Sequence, residues 1–463
     1  MRYFIGITMM LMVWVVAKAQ TDSILAYNDF MQQLVVYHPL SQKADLMVSS
    51  AKAGLLEAKG GFDPVLGFKK SNKNFNGTSY YDKDVASVSV PVPFGLDLVL
   101  GAERASGPYL NPELTPGAIS YIGIDLPLLK GLWIDERRAV LQKARLNFEQ
   151  SEQARQLAFN ELAASAAQSY WSWKEAYHLY LLTDNTLQLA RQRMNLLRTL
   201  QANGDRSEGD TIEVFVQVNQ LQLQRDEQYT RYVNATINLT AFVWDETIYD
   251  ALINKVSVPP TNQWGLPEET AILGWLTESG NTDALPALRW YDSKLAMLHV
   301  DKKYKQQALL PELKLSTRLL SKNIYTFTGL DRFYFTENYN LGINFKMPLL
   351  FREGRGGLQQ AKIKILDASF DRDLKLREII NKRTTLLNEF NLLSNQLINV
   401  AGLINAQQRL YKLELSKFNL GESSVFLVNS REQKLLELKI KEIELNAKKA
   451  KVLAKSNELK AGF

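Results

Sequence analysis

Cysteine is absent from this 463-residue chain. Disulfides, a thiolate nucleophile and a lipid anchor on an N-terminal cysteine are therefore excluded. Histidine is nearly absent too. His38, His178 and His299 stand far apart without ligand spacing, and no HExxH pattern occurs. A zinc site has no support from such a set. His178 lies among Trp171, Trp173 and Tyr180 on a helical stretch, where packing is the expected role. Charge of one sign is also missing: 55 Lys and Arg against 49 Asp and Glu leave a net +6, interspersed along the chain. That gives no nucleic-acid footprint. After the first 19 residues no run of 18 apolar residues appears, so no helix is expected to span a bilayer. The glycine-rich segment Arg352-Glu-Gly354-Arg-Gly356-Gly357, read as a turn between strand and helix, lacks both the phosphate-loop and the dinucleotide patterns. No catalytic residue, cofactor or metal ligand is expected, and the chain does not read as an enzyme.

What is present starts with a leader. Arg2, an apolar run from Tyr3 to Val16 and Ala17-Lys18-Ala19 make a short export signal cleaved after residue 19. The mature chain then repeats itself. Leu141-Gln-Lys-Ala144 recurs as Leu358-Gln-Gln-Ala361, and Gly204 and Ser207 recur 217 positions later as Gly421 and Ser424. Upstream, Gly123-Ile-Asp-Leu-Pro127 is echoed by Gly342-Ile-Asn-Phe-Lys-Met-Pro348, and Asp63-Pro-Val-Leu66 by Leu310-Pro-Glu-Leu313. A repeat this long is no solenoid unit; it is a duplicated half. Each half runs strand, strand, long helix, tip, long helix. The expected divisions are 20–243 for the first half, 244–289 for a Pro-, Gly- and Trp-rich linker, and 290–463 for the second half.

The strands, expected over about 62–127 and 310–348, alternate with period two. Tyr339, Leu341, Ile343, Phe345 and Met347 share one face, with Asn340, Gly342, Asn344 and Lys346 on the other. Ile122, Ile124 and Leu126 likewise oppose Gly123 and Asp125, while Leu313, Leu315 and Leu319 oppose Lys314 and Arg318. One greasy and one wet face suit either a lipid-facing barrel with a polar lumen or a sandwich edge in solvent. Aromatic residues at the strand ends, Phe75, Tyr80 and Tyr81 in one loop and Tyr325, Phe327, Phe333, Tyr334 and Phe335 in the other, favour the membrane. A further alternating pair, Val85–Pro93 and Leu96–Glu103, sits inside the first hairpin, where it either extends the strands or forms a lid. Four strands alone are too few for a membrane barrel, so either copies combine or the strands do not form one.

Long helices are expected over about 135–202, 211–243, 355–419 and 424–460. From Leu141 to Asn203 there is neither Gly nor Pro, and about 60 helical residues reach ~90 Å. Ile212, Val214, Val216 and Val218 alternate as a strand would, but the equivalent segment in the second half reads as helix, which decides for helix. The tips Asn203–Ser207 and Asn419–Ser424 carry Gly and Ser in helix-capping positions.

Leader, duplicated halves, Pro-Leu ending a strand, and Gly-x-x-Ser tips together resemble the TolC family of outer-membrane efflux and secretion ducts. The resemblance implies a mostly helical fold with a β-barrel portion. It implies a homotrimer giving four strands per chain to a 12-stranded barrel in outer-membrane lipid, continued by a periplasmic α-helical barrel in a Gram-negative envelope. It further implies a passive exit duct of a tripartite efflux pump or type I secretion system, gated at the periplasmic tips. The partners would be a periplasmic adaptor (membrane fusion) protein and an inner-membrane pump of the RND or ABC type. Gly204, Ser207, Gly421 and Ser424 would dock the adaptor. Asp210 and Glu213 would line the entrance constriction; Leu427 and Ser430 take their places in the second half. Gly123, Asp125, Lys314, Arg318, Asn340 and Asn344 would face the barrel lumen. The family's Asn-Pro near the N-terminus appears here as His38-Pro39. The rival expectation is a periplasmic coiled-coil adaptor or scaffold without a channel.

Overall fold

The computed structural model describes residues 23–111, 113–254, 257–261, 264–265, 269–277, 284–322 and 338–459. The leader and the aromatic residues of 325–335 lie outside them. In chain order the first elements are β1 (Ser23–Ile24), α1 (Tyr27–Tyr37), α2 (Pro39–Gly60), β2 (Val65–Phe75), β3 (Thr78–Pro91), β4 (Asp97–Ser106) and β5 (Gly117–Pro127). Next come α3 (Glu136–Ala202), α4 (Glu208–Thr240), α5 (Glu246–Ile253), β6 (Ser257–Val258), α6 (Glu269–Thr277) and α7 (Pro286–Gln307). β7 (Glu312–Ser321), β8 (Tyr339–Lys346), α8 (Arg352–Asn419) and α9 (Val425–Asn457) complete the described chain.

Helix dominates because α3 contains no Gly or Pro over 67 residues and α8 no Pro over 68. At ~1.5 Å per residue each is roughly 100 Å long. α4 takes in the β-branched run from Ile212 to Val218. Val214, Val218 and Leu221 are buried while Ile212 and Val216 are exposed, a helical spacing that overrides local strand propensity. One expectation is corrected. Arg352–Gly357 is the first stretch of α8 and not a turn. Gly354 belongs there because a Cβ would press on the Ala308 carbonyl at the end of α7, at 2.8 Å.

The chain divides into two compact units. One takes residues up to Ser41, Leu162–Ile272 and Leu386–Lys455. Its aromatic core stacks Phe30 on Tyr170 and Tyr27 on Trp171, with Trp173 edge-on to Tyr170. Two of these rings bond through their polar ends: Tyr170 donates to the Leu25 carbonyl at 2.9 Å and Trp173 to Thr236 Oγ1 at 3.1 Å. β1 and β6 pair in parallel beside them. Lys174 lies over the rings of Trp171 and Trp264, and burial brings its pKa down to about 8. His178 packs 5.0 Å from Trp264, and burial, then the Lys174 charge, lowers its pKa to about 4, so it is neutral and packed. At the α1–α2 break, His38 Nδ1 accepts the Leu40 N–H at 3.1 Å. That bond is the service an Asn side chain gives before proline.

The other unit, Gln42–Glu161, Leu273–Thr385 and Ser456 onward, holds a curled antiparallel sheet in the order β2-β3-β4-β5-β7-β8. The described residues therefore supply six strands to this sheet, one hairpin more than the four expected, and twelve strands from three copies no longer follows. The alternating pair inside the first hairpin is neither a lid nor a mere extension. β3 and β4 are full ladder members, paired from Asp82↔Ser106 to Pro91↔Asp97. The expectation of four strands came from matching the halves, and the described residues of the second half hold no such hairpin.

Two glycines make the ladder possible. Tyr121 lies over Gly101, its register partner, filling the space left by the absent side chain. Gly123 faces Arg318 across the β5–β7 ladder, and a Cβ there would overlap the Thr317 carbonyl oxygen and the Arg318 side chain. Its sequence counterpart Gly342 is open, with Ser316 no nearer than 3.9 Å. Gly123→Ala is expected to destabilise the sheet by about 2 kcal/mol, an overpacking cost, whereas Gly342→Ala is nearly neutral. Urea midpoints of the two variants in detergent micelles check this; equal midpoints would contradict the close approach.

Candidate functional site

Two surfaces carry the residues singled out from the sequence: the helix tips in the first unit and the sheet in the second.

The tips are built by the same backbone device twice. After α3, Gly204 adopts φ +85°, its N–H bonds the Gln201 carbonyl at 2.9 Å, and Asp205 N–H bonds Leu200 at 2.9 Å. After α8, Gly421 adopts φ +81°, bonding Phe418 at 3.1 Å, and Glu422 bonds Lys417 at 2.9 Å. These are paired Schellman caps, which need glycine at the left-handed position. Ser207 then caps α4 by accepting the Asp210 N–H at 3.3 Å, and Ser424 accepts the Leu427 N–H at 3.4 Å. Space around a Cβ at Gly204 or Gly421 is open to 4 Å, so both turns present bare backbone.

Asp210 is half-buried, and its Oδ2 accepts the Ser207 hydroxyl at 3.1 Å, making the cap reciprocal. Glu213, one turn on, is half-buried as well. In the second half Leu427 replaces Asp210, and the cap there has no carboxylate.

Below the turns, Leu187, Ala190 and Leu197 of α3, Val214, Val218 and Leu221 of α4, Phe418 of α8, and Val425, Val428 and Leu436 of α9 form one buried cluster. The two tips are tied directly. Arg206, just past the first turn, donates to the Phe418 carbonyl at 2.8 Å and stacks its guanidinium 4.3 Å from the Phe418 ring.

A larger polar clamp lies within the same four-helix end. Arg193 of α3 grips Glu432 of α9 with two hydrogen bonds of 2.7 and 2.9 Å. It also donates to Tyr411 of α8 at 3.1 Å and Asn429 of α9 at 3.1 Å, while Gln217 of α4 donates to Glu432 at 2.9 Å. The two charged side chains keep only 10% and 8% of their exposure. Burial alone would lower the Arg193 pKa, yet the Glu432 hydrogen bonds and charge leave it raised. Burial and the same carboxylate raise Tyr411. Sequence reading missed this clamp. Its members span four helices, and the positions equivalent to Arg193 and Glu432 in the other half are Leu410 and Phe215. No repeat or local motif marks it.

In the sheet, the register sorts every strand into two faces. One carries Leu66, Val88, Leu100, Ile122, Leu319 and Tyr339 in a single row across all six strands. The rows beside it hold Phe68, Leu98, Ile124, Leu341, Ile343 and Phe345, and this face is exposed, Leu66 at 79% and Ile343 at 68%. The opposite face gathers all six sequence-selected sheet residues. Gly123, Arg318 and Asn340 form one row; Lys314 and Asn344 are register partners four positions away, with Asp125 in the row between. Asp125 pairs with Arg318 at 2.9 Å and Lys314 at 3.6 Å. Lys83 of β3 and Glu103 of β4 add a 3.0 Å ion pair on the same face. Among the described residues no cluster of His, Cys, Asp and Glu could hold a metal, and no helix is long and apolar enough to cross a membrane.

No family model and no curated protein sequence matches the chain. Its fold does have solved counterparts. A membrane protein from Pseudomonas aeruginosa is similar at a TM-score of 0.66 and 15% identity, over 96% of this chain and 92% of that one. The outer membrane protein VceC from Vibrio cholerae is similar at 0.64 and 14%, over 93% and 96%. The MtrE outer membrane channel of Neisseria gonorrhoeae, in its open state, is similar at 0.61 and 13%, over 93% and 87%. The fold is that of the TolC-family outer-membrane channels, over nearly the whole chain.

Because the Arg193–Glu432 pair is buried, Glu432→Ala strands a guanidinium and is expected to cost about 3–5 kcal/mol locally. Arg193→Met combined with Glu432→Leu is expected to recover most of that loss. Amide exchange in the last turns of α3 and α8 checks it: protection should fall in the single variant and return in the double.

Proposed function

We propose that this chain is a subunit of an outer-membrane exit channel, passive and without catalysis, assembled from three copies. The carrying observation is the uncharged, apolar-bodied row across six strands, exposed at Leu66, Leu100, Ile122 and Tyr339 and half-exposed at Val88 and Leu319, while the other face holds paired charges. A water-soluble protein does not leave such a face bare. A barrel wall with lipid outside and water inside accounts for both sides at once. Phe94 and Trp133 near one end of the strands, and Tyr80, Tyr109 and Phe75 at the other, supply the aromatic girdles.

The helices support association. α8 leaves Ile363, Leu366, Phe370 and Leu374 exposed at helical spacing, a stripe that another copy would cover. The helical part lies in the periplasm in this reading, with the tips facing an adaptor protein and an inner-membrane pump. Whether the pump belongs to an efflux or a secretion system depends on those partners. Bare backbone at Gly204 and Gly421, flanked by Ser207 and Ser424, is the docking surface. Asp210 and Glu213 set the charge of the entrance. Gating is relative movement of the helical hairpins at this end. The side chains Asp125, Lys314, Arg318, Asn340 and Asn344, with Gly123, line the exit.

The channel itself is tested by planar-bilayer conductance of protein purified from outer-membrane fractions. Asp210→Ala with Glu213→Ala is expected to lower cation preference several-fold; unchanged preference removes both from the entrance. A water-soluble monomer without conductance would sink the channel.

Docking has its own test. Gly421→Trp is expected to cut export from cells at least tenfold while oligomer yield in the outer membrane holds. Export at the normal level would place the adaptor elsewhere.

A further inference from the structure

The hairpin β3–β4 has no counterpart among the described residues of the second half, and its consequences follow from four observations. Its strands are 14 and 10 residues long, enough to cross an outer membrane, for which roughly 9–11 are needed. Its apolar residues, Ala86, Val88, Val90, Leu98, Leu100 and Ala102, continue the exposed face of the neighbouring strands without a break. Its turns are dressed for the two interfaces. Phe94 is 79% exposed in the β3–β4 turn, while Tyr80 packs 4.9 Å from Tyr109 and under Lys73 Nζ at the other end. Finally, its inward side mixes small and ionic residues, Ser87, Ser89, Gly101 and the Lys83–Glu103 pair, with two valines, Val85 and Val99.

A lid would have buried one of these faces against the sheet or turned charge outward along its length. The charge on the lipid-side face is confined to one end, where Lys70 lies 3.2 Å from Asp84. The hairpin is wall.

The sheet is open within one chain, its edges being β2 on one side and β8 on the other. An exposed strand edge in lipid would leave backbone N–H and C=O groups unsatisfied at several kcal/mol each, so the edges must pair. Six strands alternate in direction, so β2 and β8 run opposite ways. The β8 edge of one copy thus meets the β2 edge of the next as an antiparallel pair. An inserted hairpin adds two strands and preserves this match; a single added strand would have destroyed it.

We infer that three copies of this chain, joined β8 to β2, close an eighteen-stranded barrel. Barrel diameter grows roughly linearly with strand number, so the exit is about half again as wide as a twelve-stranded one. At that strand number, barrels keep an open aqueous lumen. The barrel is then a porin-width mouth, and selection by size falls on other parts of the channel. This inference rests on the channel reading above and adds the partner surface and strand count to it.

The absence of cysteine makes the test clean. In the full-length protein in outer membranes, cysteine pairs are introduced between lumen-side positions of β2 (Gly67, Lys69, Ser71) and β8 (Asn340, Gly342, Asn344), then oxidised. A second set joins β4 (Val99, Gly101) to the same β8 positions. The expected result is a disulfide ladder from at least one β2–β8 pair that ends at the mass of three copies, with none from β4–β8. A ladder ending at two copies means twelve strands from a dimer and overturns the inference. So do β4–β8 disulfides, which would place β2 and β3 outside the barrel. A membrane-inserted oligomer with no disulfide from either set also overturns it. Recovery as a soluble monomer instead brings down the channel reading beneath it.

Discussion

Everything in the sheet follows from one constraint: hydrogen-bond register across six strands cannot slip. Side chains on a strand alternate with a period of two, so a slip of one residue would exchange the faces. Leu66, Val88, Leu100, Ile122, Leu319 and Tyr339 would then turn inward and Arg318 outward. Glycine and charge together hold the register at its most demanding point. Gly123 lets Arg318 lie flat across β5, and Asp125, two residues on, receives the guanidinium at 2.9 Å. A bulkier residue at 123 would displace the arginine, and a displaced arginine would leave the aspartate with Lys314 alone.

At the helical end the demands are different. A chain that reverses between two long helices must satisfy the last carbonyls of one and the first amides of the next. The paired Schellman caps and the Ser207 and Ser424 caps do this with almost no side-chain mass, leaving the turns bare. Apolar packing below them holds the four helices together, but packing alone is tolerant of sliding by a turn. Arg193 adds direction. Its bidentate grip on Glu432, together with Tyr411 and Asn429, is satisfied at one helix register only.

How much of this could be read from the sequence depends on whether the information is local. Gly204 and Gly421 announce their turns because only glycine takes φ near +80° cheaply, and Ser three positions later announces the cap. The alternation of Tyr339 to Phe345 announces a strand and both of its faces. The helix through Ile212–Val218 was legible only through its repeat partner, since local propensity argues for a strand. The Arg193–Glu432 clamp was not legible, because nothing in a single sequence pairs two residues so far apart. The strand count failed for a related reason. Alternation at Val85–Pro93 was visible, but pairing partners are a tertiary fact, and the second half gives no template for them. The glycine-rich start of α8 misled because glycine most often breaks a helix, whereas here Gly354 admits the end of α7.

The two stretches that echo each other in sequence agree and diverge in a pattern. They agree where geometry leaves one solution: the hydrogen bonds from Gly204 to Gln201 and Asp205 to Leu200 recur 217 positions later from Gly421 to Phe418 and Glu422 to Lys417. They differ wherever one copy of a feature suffices. Asp210 and Glu213 face Leu427 and Ser430; Arg193 and Glu432 face Leu410 and Phe215; the hairpin β3–β4 faces nothing. In a symmetric assembly each singular feature is multiplied by the number of copies, so one clamp per chain already secures every copy alike. The added hairpin obeys the same logic from the opposite side. It enters in one half only, but because it comes as two strands of opposite direction it leaves the edges β2 and β8 as compatible as before. In the proposed barrel, width can change by whole hairpins without altering the pairing of β8 with β2.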